Sequence, residues 1–398
     1  MSKTIRAPFC RVIVLLCSAA MGMLSGCGDS GGSGSGTGGD PVATAPTVTV
    51  QTLQVSATSL VVPLTNGSGV HVADVPVTLH SEDGVLYATR WGSTPDKIEL
   101  AYPTSGATLA GYGSDLLAVY VDIASNEIRA RQSTDGGRTW EPAVSLGIRP
   151  TGPALPTACL FRQRGQLLRV AAWSAQPSQS QGPLVVARHD GMSWQAPVSN
   201  PVDSSGAALQ CVNDVEPMIV WRDHRDGNTG SNVALYAATL NSASQLLDEQ
   251  LVVKPGFDPS HCADDGFSYV GYHTGTNDAH LRRSDDDFRT SSELDLDTNT
   301  AGTQPLDDSG KFVSVACGGG LIAAVWGDWP TKDEADAVAS TRKLGMVVSR
   351  DWGATWASLR PAGEDEEQGP ATVAVAGDRV YLMWRAPGAV KLATVSWP

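Results

Sequence analysis

Two octapeptides in this 398-residue chain obey one pattern. They are Ser133-Thr134-Asp135-Gly136-Gly137-Arg138-Thr139-Trp140 and Ser349-Arg350-Asp351-Trp352-Gly353-Ala354-Thr355-Trp356, both S-x-D-x-G-x-T-W. At average residue usage a single match in a chain this long has a chance on the order of 10⁻⁴. The residue types suit a tight β-hairpin. Ser and Asp side chains accept hydrogen bonds from the turn's own amides. Gly137 and Gly353 tolerate a positive φ. Thr139-Trp140 and Thr355-Trp356 then start the next strand, with the indole covering the turn.

A repeat runs behind the octapeptides. Short apolar runs end in Tyr120, Trp173, Trp221, Tyr272, Trp326 and Trp384, and an earlier run ends in Thr89 at the aromatic's place. The spacings from Thr89 onward are 31, 53, 48, 51, 54 and 58. A period near 50 with four short strands per unit means propeller blades. The sequence therefore predicts an all-β fold, a β-propeller of four-stranded antiparallel blades. Seven blades are favoured over six. The short first spacing leaves six open, with residues 47–75 closing the ring against the C-terminal unit. Degenerate octapeptides fall in register: Ser284 to Ser291 keeps Ser, Asp and Thr, and His189 to Trp194 keeps Gly and Trp. The S-x-D-x-G-x-T-W pattern resembles the Asp-box, or BNR repeat, of sialidases and related propellers. That resemblance makes both copies fold markers rather than chemical groups.

The N-terminus reads as a bacterial lipoprotein. Residues 1–27 combine Lys3, Arg6 and Arg11 with an apolar run from Val12 to Leu16, as a secretion signal does. Leu24-Ser25-Gly26-Cys27 looks like a lipobox, which makes Cys27 the lipidated first mature residue; an ordinary signal peptide or a short membrane anchor is the alternative. Gly28 in place of Asp implies sorting to the outer membrane, with the periplasmic or surface side open. Residues 28–47 form a Gly/Ser/Thr tether, a flexible coil spanning roughly 25 Å. Residues 48–398 are assigned to one propeller. Net charge is −14, and removing the three basic signal residues leaves 25 − 42 = −17. That excess argues against nucleic acid as a partner and leaves the lipid as the only membrane contact.

Cys159, Cys211, Cys262 and Cys317 recur at intervals of 52, 51 and 55, each 9 to 14 residues before its unit's aromatic. This places them late in the innermost strands of units three to six. Roughly matching residues elsewhere are Leu79, Ala110 and Ala374. Buried free thiols and the disulfides Cys159–Cys211 and Cys262–Cys317 are both open, since export favours oxidation. No C-x-x-C spacing supports a metal, and no cofactor motif is present.

Strand direction alternates within a blade, so the turn after strand two lies on the face away from the octapeptides. Arg90, Asp122, Arg222, Asp223, His273, Asp328 and Arg385 follow the repeat aromatics and are expected there, with Arg225 close behind. The sialidase resemblance places an active site on that face. It implies an Arg triad for a substrate carboxylate, drawn here from Arg90, Arg222 and Arg385, with Asp96 as acid/base. The family's opening Arg-Ile-Pro is matched only by Asp74-Val75-Pro76, which lacks the Arg. Glu216, Tyr272 and Tyr381 give no clear Tyr–Glu nucleophile pair. The chain is thus expected to be a glycan- or protein-binding scaffold module of the cell envelope, the alternative being an exo-acting, sialidase-like glycoside hydrolase. An envelope-assembly role is a third, weaker option. A carbohydrate or an envelope protein is the expected ligand.

Overall fold

A computed structural model describes residues 46–55, 60–61, 71–72, 75–102, 104–148, 156–175, 182–227, 232–275, 278–296, 309–329, 343–361 and 371–397. The signal, Cys27, Asp74 and most of the tether lie outside them. The elements in this set are β-strands, twenty-eight in all.

Each octapeptide closes on itself. Asp135 accepts the Thr139 amide at 2.9 Å and the Thr139 hydroxyl at 2.6 Å. Ser133 Oγ donates to Asp135 Oδ1 and accepts the Gly137 amide, both at 2.8 Å. The second copy repeats this, with Asp351 accepting Thr355 at 2.8 and 2.7 Å and Ser349 accepting Gly353 at 2.8 Å. Gly137 and Gly353 both have φ +79°. The degenerate copy at 284–291 makes the same four bonds at 2.8–2.9 Å. Phe288 occupies its glycine position at φ +64° and is buried in a core cluster with Val270 and Tyr272. Holding such a residue left-handed costs about 1–3 kcal/mol, which ring burial of similar size offsets. In the copy at 189–194, His189 Nδ1 replaces the serine and accepts the Gly191 amide at 3.0 Å.

Strand β1 (Thr47–Gln54) is followed by β2 (Leu60–Val61), β3 (His71–Val72), β4 (Val75–Glu82), β5 (Val85–Trp91) and β6 (Pro95–Ala101). These last five form one sheet in the order β2-β4-β5-β6, with β3 also on β4. Next come β7 (Thr104–Tyr112), β8 (Asp115–Asp122), β9 (Glu127–Ser133) and β10 (Val144–Ile148), a four-stranded sheet. A seven-stranded sheet follows: β11 (Thr157–Gln163), β12 (Gln166–Ser174), β13 (Gly182–His189), β14 (Val198–Gln210), β15 (Met218–Asp223), β16 (Ala234–Leu240) and β17 (Leu246–Val253). Strand β14 serves twice. Its start pairs with β13, its end with β15, and its register breaks between Ser204 and Gly206.

Two more four-stranded sheets complete the middle of the chain. One holds β18 (Phe257–Asp264), β19 (Phe267–His273), β20 (Ala279–Ser284) and β21 (Ser292–Asp295). The other holds β22 (Ser309–Gly318), β23 (Leu321–Trp329), β24 (Lys343–Ser349) and β25 (Ala357–Leu359). The last sheet takes β26 (Ala371–Ala376), β27 (Arg379–Ala386) and β28 (Ala389–Ser396), and β1 adds to it in eight antiparallel pairs from Thr47↔Ser396 to Gln54↔Ala389. The described strands thus group into six antiparallel sheets, of which the seven-stranded one reads as two units sharing β14, and the N-terminal strand completes the last. Core clusters straddle each boundary, and Trp91 packs with Tyr381 and Met383 where the last unit meets the first.

The short first spacing has a structural cause. Thr89 lies on β5, which is the third strand of its unit rather than the second. The second strand is β4, where His80 occupies the aromatic's place. His80 is fully buried and stacks on Tyr87 of the third strand at 5.6 Å, as Trp221 stacks on Tyr236 and Tyr272 on His280. Cross-unit contacts agree. Arg131 Nη1 of β9 donates to Leu100 O near the end of β6, and Arg282 Nη1 of β20 donates to Val252 O near the end of the fourth strand β17.

The four cysteines pair across neighbouring units. Cys159 and Cys211 are joined with Cα atoms 5.7 Å apart, and Cys262 and Cys317 with Cα atoms 5.8 Å apart. Ala110 and Ala374 stand in the same column, whereas Leu79 belongs to the second strand β4. Loops of 52 and 55 residues predict about 4 kcal/mol of chain-entropy stabilisation from each bridge. Unreduced, unfolded protein should therefore titrate no thiol from these four, and reductant should lower the melting temperature. Four free thiols with unchanged melting would contradict the pairing.

Candidate functional site

The unit register sorts the candidate residues onto two faces. Arg90 ends the third strand β5, and its Nε donates to Gly136 O of the neighbouring octapeptide at 2.9 Å. Asp96 is the register partner of Arg90. Both therefore sit on the octapeptide face, and neither joins the opposite mouth. Arg222, Asp223, Arg225 and His273 follow their second strands on the opposite face, as expected. Arg385 is half-buried at the end of β27, and Asp328 pairs through its backbone with Gly310 and Lys343. The three arginines do not form one carboxylate cradle, because Arg90 belongs to the other face.

The opposite face brings a compact cluster together between β15 and β18. Register breaks between Phe257 and Ser260, and Asp258 in this bulge has φ +48°. Bulges re-aim side chains at sheet edges. Here Asp258 faces the Arg222 guanidinium, with Nη1 at 3.6 Å, and the His273 imidazole, with Nε2 at 3.2 Å. The Phe257 ring packs against both, stacked on His273 at 5.3 Å with the Arg222 guanidinium 4.7 Å from its centroid. Thr274 O fixes the other imidazole nitrogen at 3.0 Å. The Asp258 side chain is 47% exposed, against 26% for Arg222 and 11% for His273, so a carboxylate stands at the surface on a more buried base. Arg222 Nε is buried with no hydrogen-bond partner among the described residues. Burial lowers the Arg222 pKa, and Asp258 opposes that shift.

Beside this cluster, Asp223 and Arg225 form a closed brace. Asp223 accepts Trp221 Nε1 at 2.8 Å and Arg225 Nε and Nη2 at 2.8 Å. Burial alone would raise the Asp223 pKa, but the Arg225 and Trp221 hydrogen bonds override it and hold the group below the usual carboxylate range. Arg225 also pairs with Glu249 at 2.6 Å and lies over the Tyr236 ring at 4.2 Å. Its hydrogen bonds to Asp223 and then Glu249 raise its pKa. These two residues hold the loop. Ser205, at the β14 register break, lies 2.6 Å from His224 Nε2, and burial followed by the Arg222 charge lowers the His224 pKa.

The residues that sialidase chemistry would need are dispersed. Glu216 pairs with Arg188 at 3.3 Å and accepts Gln163 Nε2 at 3.2 Å, at the octapeptide end of β11. Tyr272 does hydrogen-bond a glutamate, Glu293, which also takes Arg282 at 2.8 Å. That pair lies within one unit, and burial, then the Glu293 contact, raises the Tyr272 pKa, the reverse of nucleophile activation. Sequence reasoning passed over Phe257 and Asp258. The available signal was Gly256-Phe257-Asp258-Pro259, a turn-like run directly before a strand.

No family model and no curated protein matches this chain. Solved structures similar to it include a lectin of Aleuria aurantia in complex with Fucα1-6GlcNAc, at TM-score 0.49 and 12% identity over 74% of this chain and 92% of that one. YCF48 bound to D1 peptide is similar at TM-score 0.48 and 13% identity, over 88% of this chain and 96% of that one. A Trypanosoma rangeli sialidase in complex with sialic acid is similar at TM-score 0.45 and 13% identity, over 89% of this chain but only 59% of its own. At these values the likeness is one of general architecture.

Alkaline titration separates the buried phenols. Desolvation, opposed by the Arg283 charge, pushes Tyr269 up to about 12, and burial with Glu293 pushes Tyr272 up as well. A raised folded pKa gives stability that is complete below the ordinary tyrosine value of about 10 and lost as pH rises through the folded value. Phenolate absorbance should show these two ionising last, and Glu293→Gln should bring Tyr272 down. An unshifted Tyr272 in that variant would break the assigned pair.

Proposed function

We propose that this chain is a glycan-binding propeller module of the cell envelope, with its octapeptides acting as Asp-boxes. On this reading Cys27 carries the lipid at the outer membrane, residues 28–47 form the tether, and the mouth cluster of Arg222, Asp258 and His273 contacts carbohydrate. One observation carries the proposal: a half-exposed carboxylate stands at the surface of the mouth, held from below by a more buried guanidinium and imidazole. Sugar hydroxyls donate hydrogen bonds, and an exposed carboxylate accepts them in charge-assisted form. The net charge of −14 favours a neutral sugar over an anionic one. A hydrolase reading has less support, because Arg90 and Asp96 stand on the face away from Arg222.

Glycan-array screening followed by calorimetry tests this. Asp258→Ala should weaken binding of the selected glycan about tenfold, the size expected for a lost charge-assisted hydrogen bond. Asp96→Ala should leave it unchanged. Unchanged binding in Asp258→Ala, or turnover of an aryl glycoside that Asp96→Ala abolishes, would overturn the proposal.

A further inference from the structure

The octapeptide face has its own cavity. It measures about 450 Å³ and lies where the unit of β11–β13 meets that of β15–β17. Leu168 and Val198 give it an apolar base, and Gln163, Gln166, Gln195 and Ser244 give it a polar lining. Ligand pockets of roughly 300–1,000 Å³ with a few placed polar groups are the usual form of a small-molecule site.

The walls are braced. Arg188 Nη1 reaches Glu216 Oε2 at 3.3 Å and Asn241 O at 3.1 Å, while its Nη2 reaches Gln163 Oε1 at 3.4 Å. Asn241 Oδ1 accepts the amides of Ala243 and Gln245, both at 2.9 Å, and so fixes the loop that carries Ser244. The two remaining glutamines are tied to one turn. Gln166 Nε2 donates to Asp190 O at 2.5 Å, and Gln195 Nε2 donates to Asp190 Oδ2 at 2.7 Å. Gly191 lies so close under Gln166 that a Cβ there would stand 2.0 Å from Nε2. The Oε1 atoms of Gln166 and Gln195 keep no protein partner among the described residues.

We infer that this cavity is a second carbohydrate subsite, for one neutral pyranose ring. It rests on the glycan-binding reading but uses none of the mouth residues. Carboxamides and hydroxyls both donate and accept, which matches a ring of hydroxyls and not a lone anion. The one cation in the wall is already committed to Glu216, and the Asp190 carboxylate at the rim repels anions. Leu168 and Val198 supply the apolar base against which ring C–H groups pack.

Saturation-transfer NMR with methyl glycosides of glucose, galactose, mannose and N-acetylglucosamine tests the site on the intact protein. Gln166 and Gln195 are exposed, so alanine at both positions leaves the core untouched. Gln166→Ala with Gln195→Ala should weaken the bound glycoside about tenfold, and Gly191→Ala should do the same by displacing Gln166. Asp258→Ala should leave this binding intact. Binding unchanged in the double variant, or no glycoside bound at all, overturns the subsite. Binding lost in Asp258→Ala but kept in the double variant overturns it while upholding the mouth cluster.

Discussion

In three hairpins one carboxylate holds a threonine amide and hydroxyl together, and this closure sets the register of the units that carry it. Asp135, Asp286 and Asp351 each take that pair from the residue four positions on. A serine two positions earlier receives the amide that follows. The closed turn fixes where the third strand ends and the fourth begins. It also presents a smooth flank to the neighbouring unit. A Cβ on Gly137 would meet Leu116 and Val77 at 3.2 and 3.3 Å, and one on Gly353 would meet Trp356 and then Tyr269 of the previous unit at 3.6 Å. Hairpin closure and the seam between units are thus one packing problem, and the turn solves it from local hydrogen bonds.

The disulfides and the buried aromatics extend that order inward. Trp173, Trp221, Trp326, Trp384, Tyr120 and Tyr272 are all fully buried at equivalent points of successive second strands. The bridges tie first strands of adjacent units where side chains must be small. On the mouth side the pattern changes. Strands β7, β18 and β22 break register near their starts, and β14 breaks where its pairing passes from β13 to β15. Bulges at one rim turn side chains such as Ser205 and Asp258 away from the ladder, and this concentrates polar groups on the face without octapeptides.

Much of the fold was legible because its signals are local. The hairpin pattern lies within eight residues, and the period near fifty and the cysteine column follow from its regular recurrence. The first unit hides its register because His80 stands where other units carry Trp or Tyr. An imidazole filling an aromatic slot leaves no hydropathy peak, so the next apolar run, ending at Thr89, took its place. That one-strand slip moved Arg90 and Asp96 to the wrong face. Arg222 and His273 were found from their position after the aromatic. Asp258 was not, since its role depends on a bulge and on a neighbour thirty-six residues away. The Gln163–Arg188–Glu216 network likewise joins segments that no local pattern connects.

The placement of β5 as a third strand decides which face Arg90 and Asp96 occupy. Paired spin labels test it directly, with one label at Thr134 in the octapeptide and the other at Ser93 or at Asp83. Strand β5, seven residues long, separates the two latter turns by roughly 20 Å or more. The structure places Ser93 on the Thr134 side, so the 93–134 distance should be the shorter of the two. A shorter 83–134 distance would return Arg90 and Asp96 to the mouth and contradict the register described above.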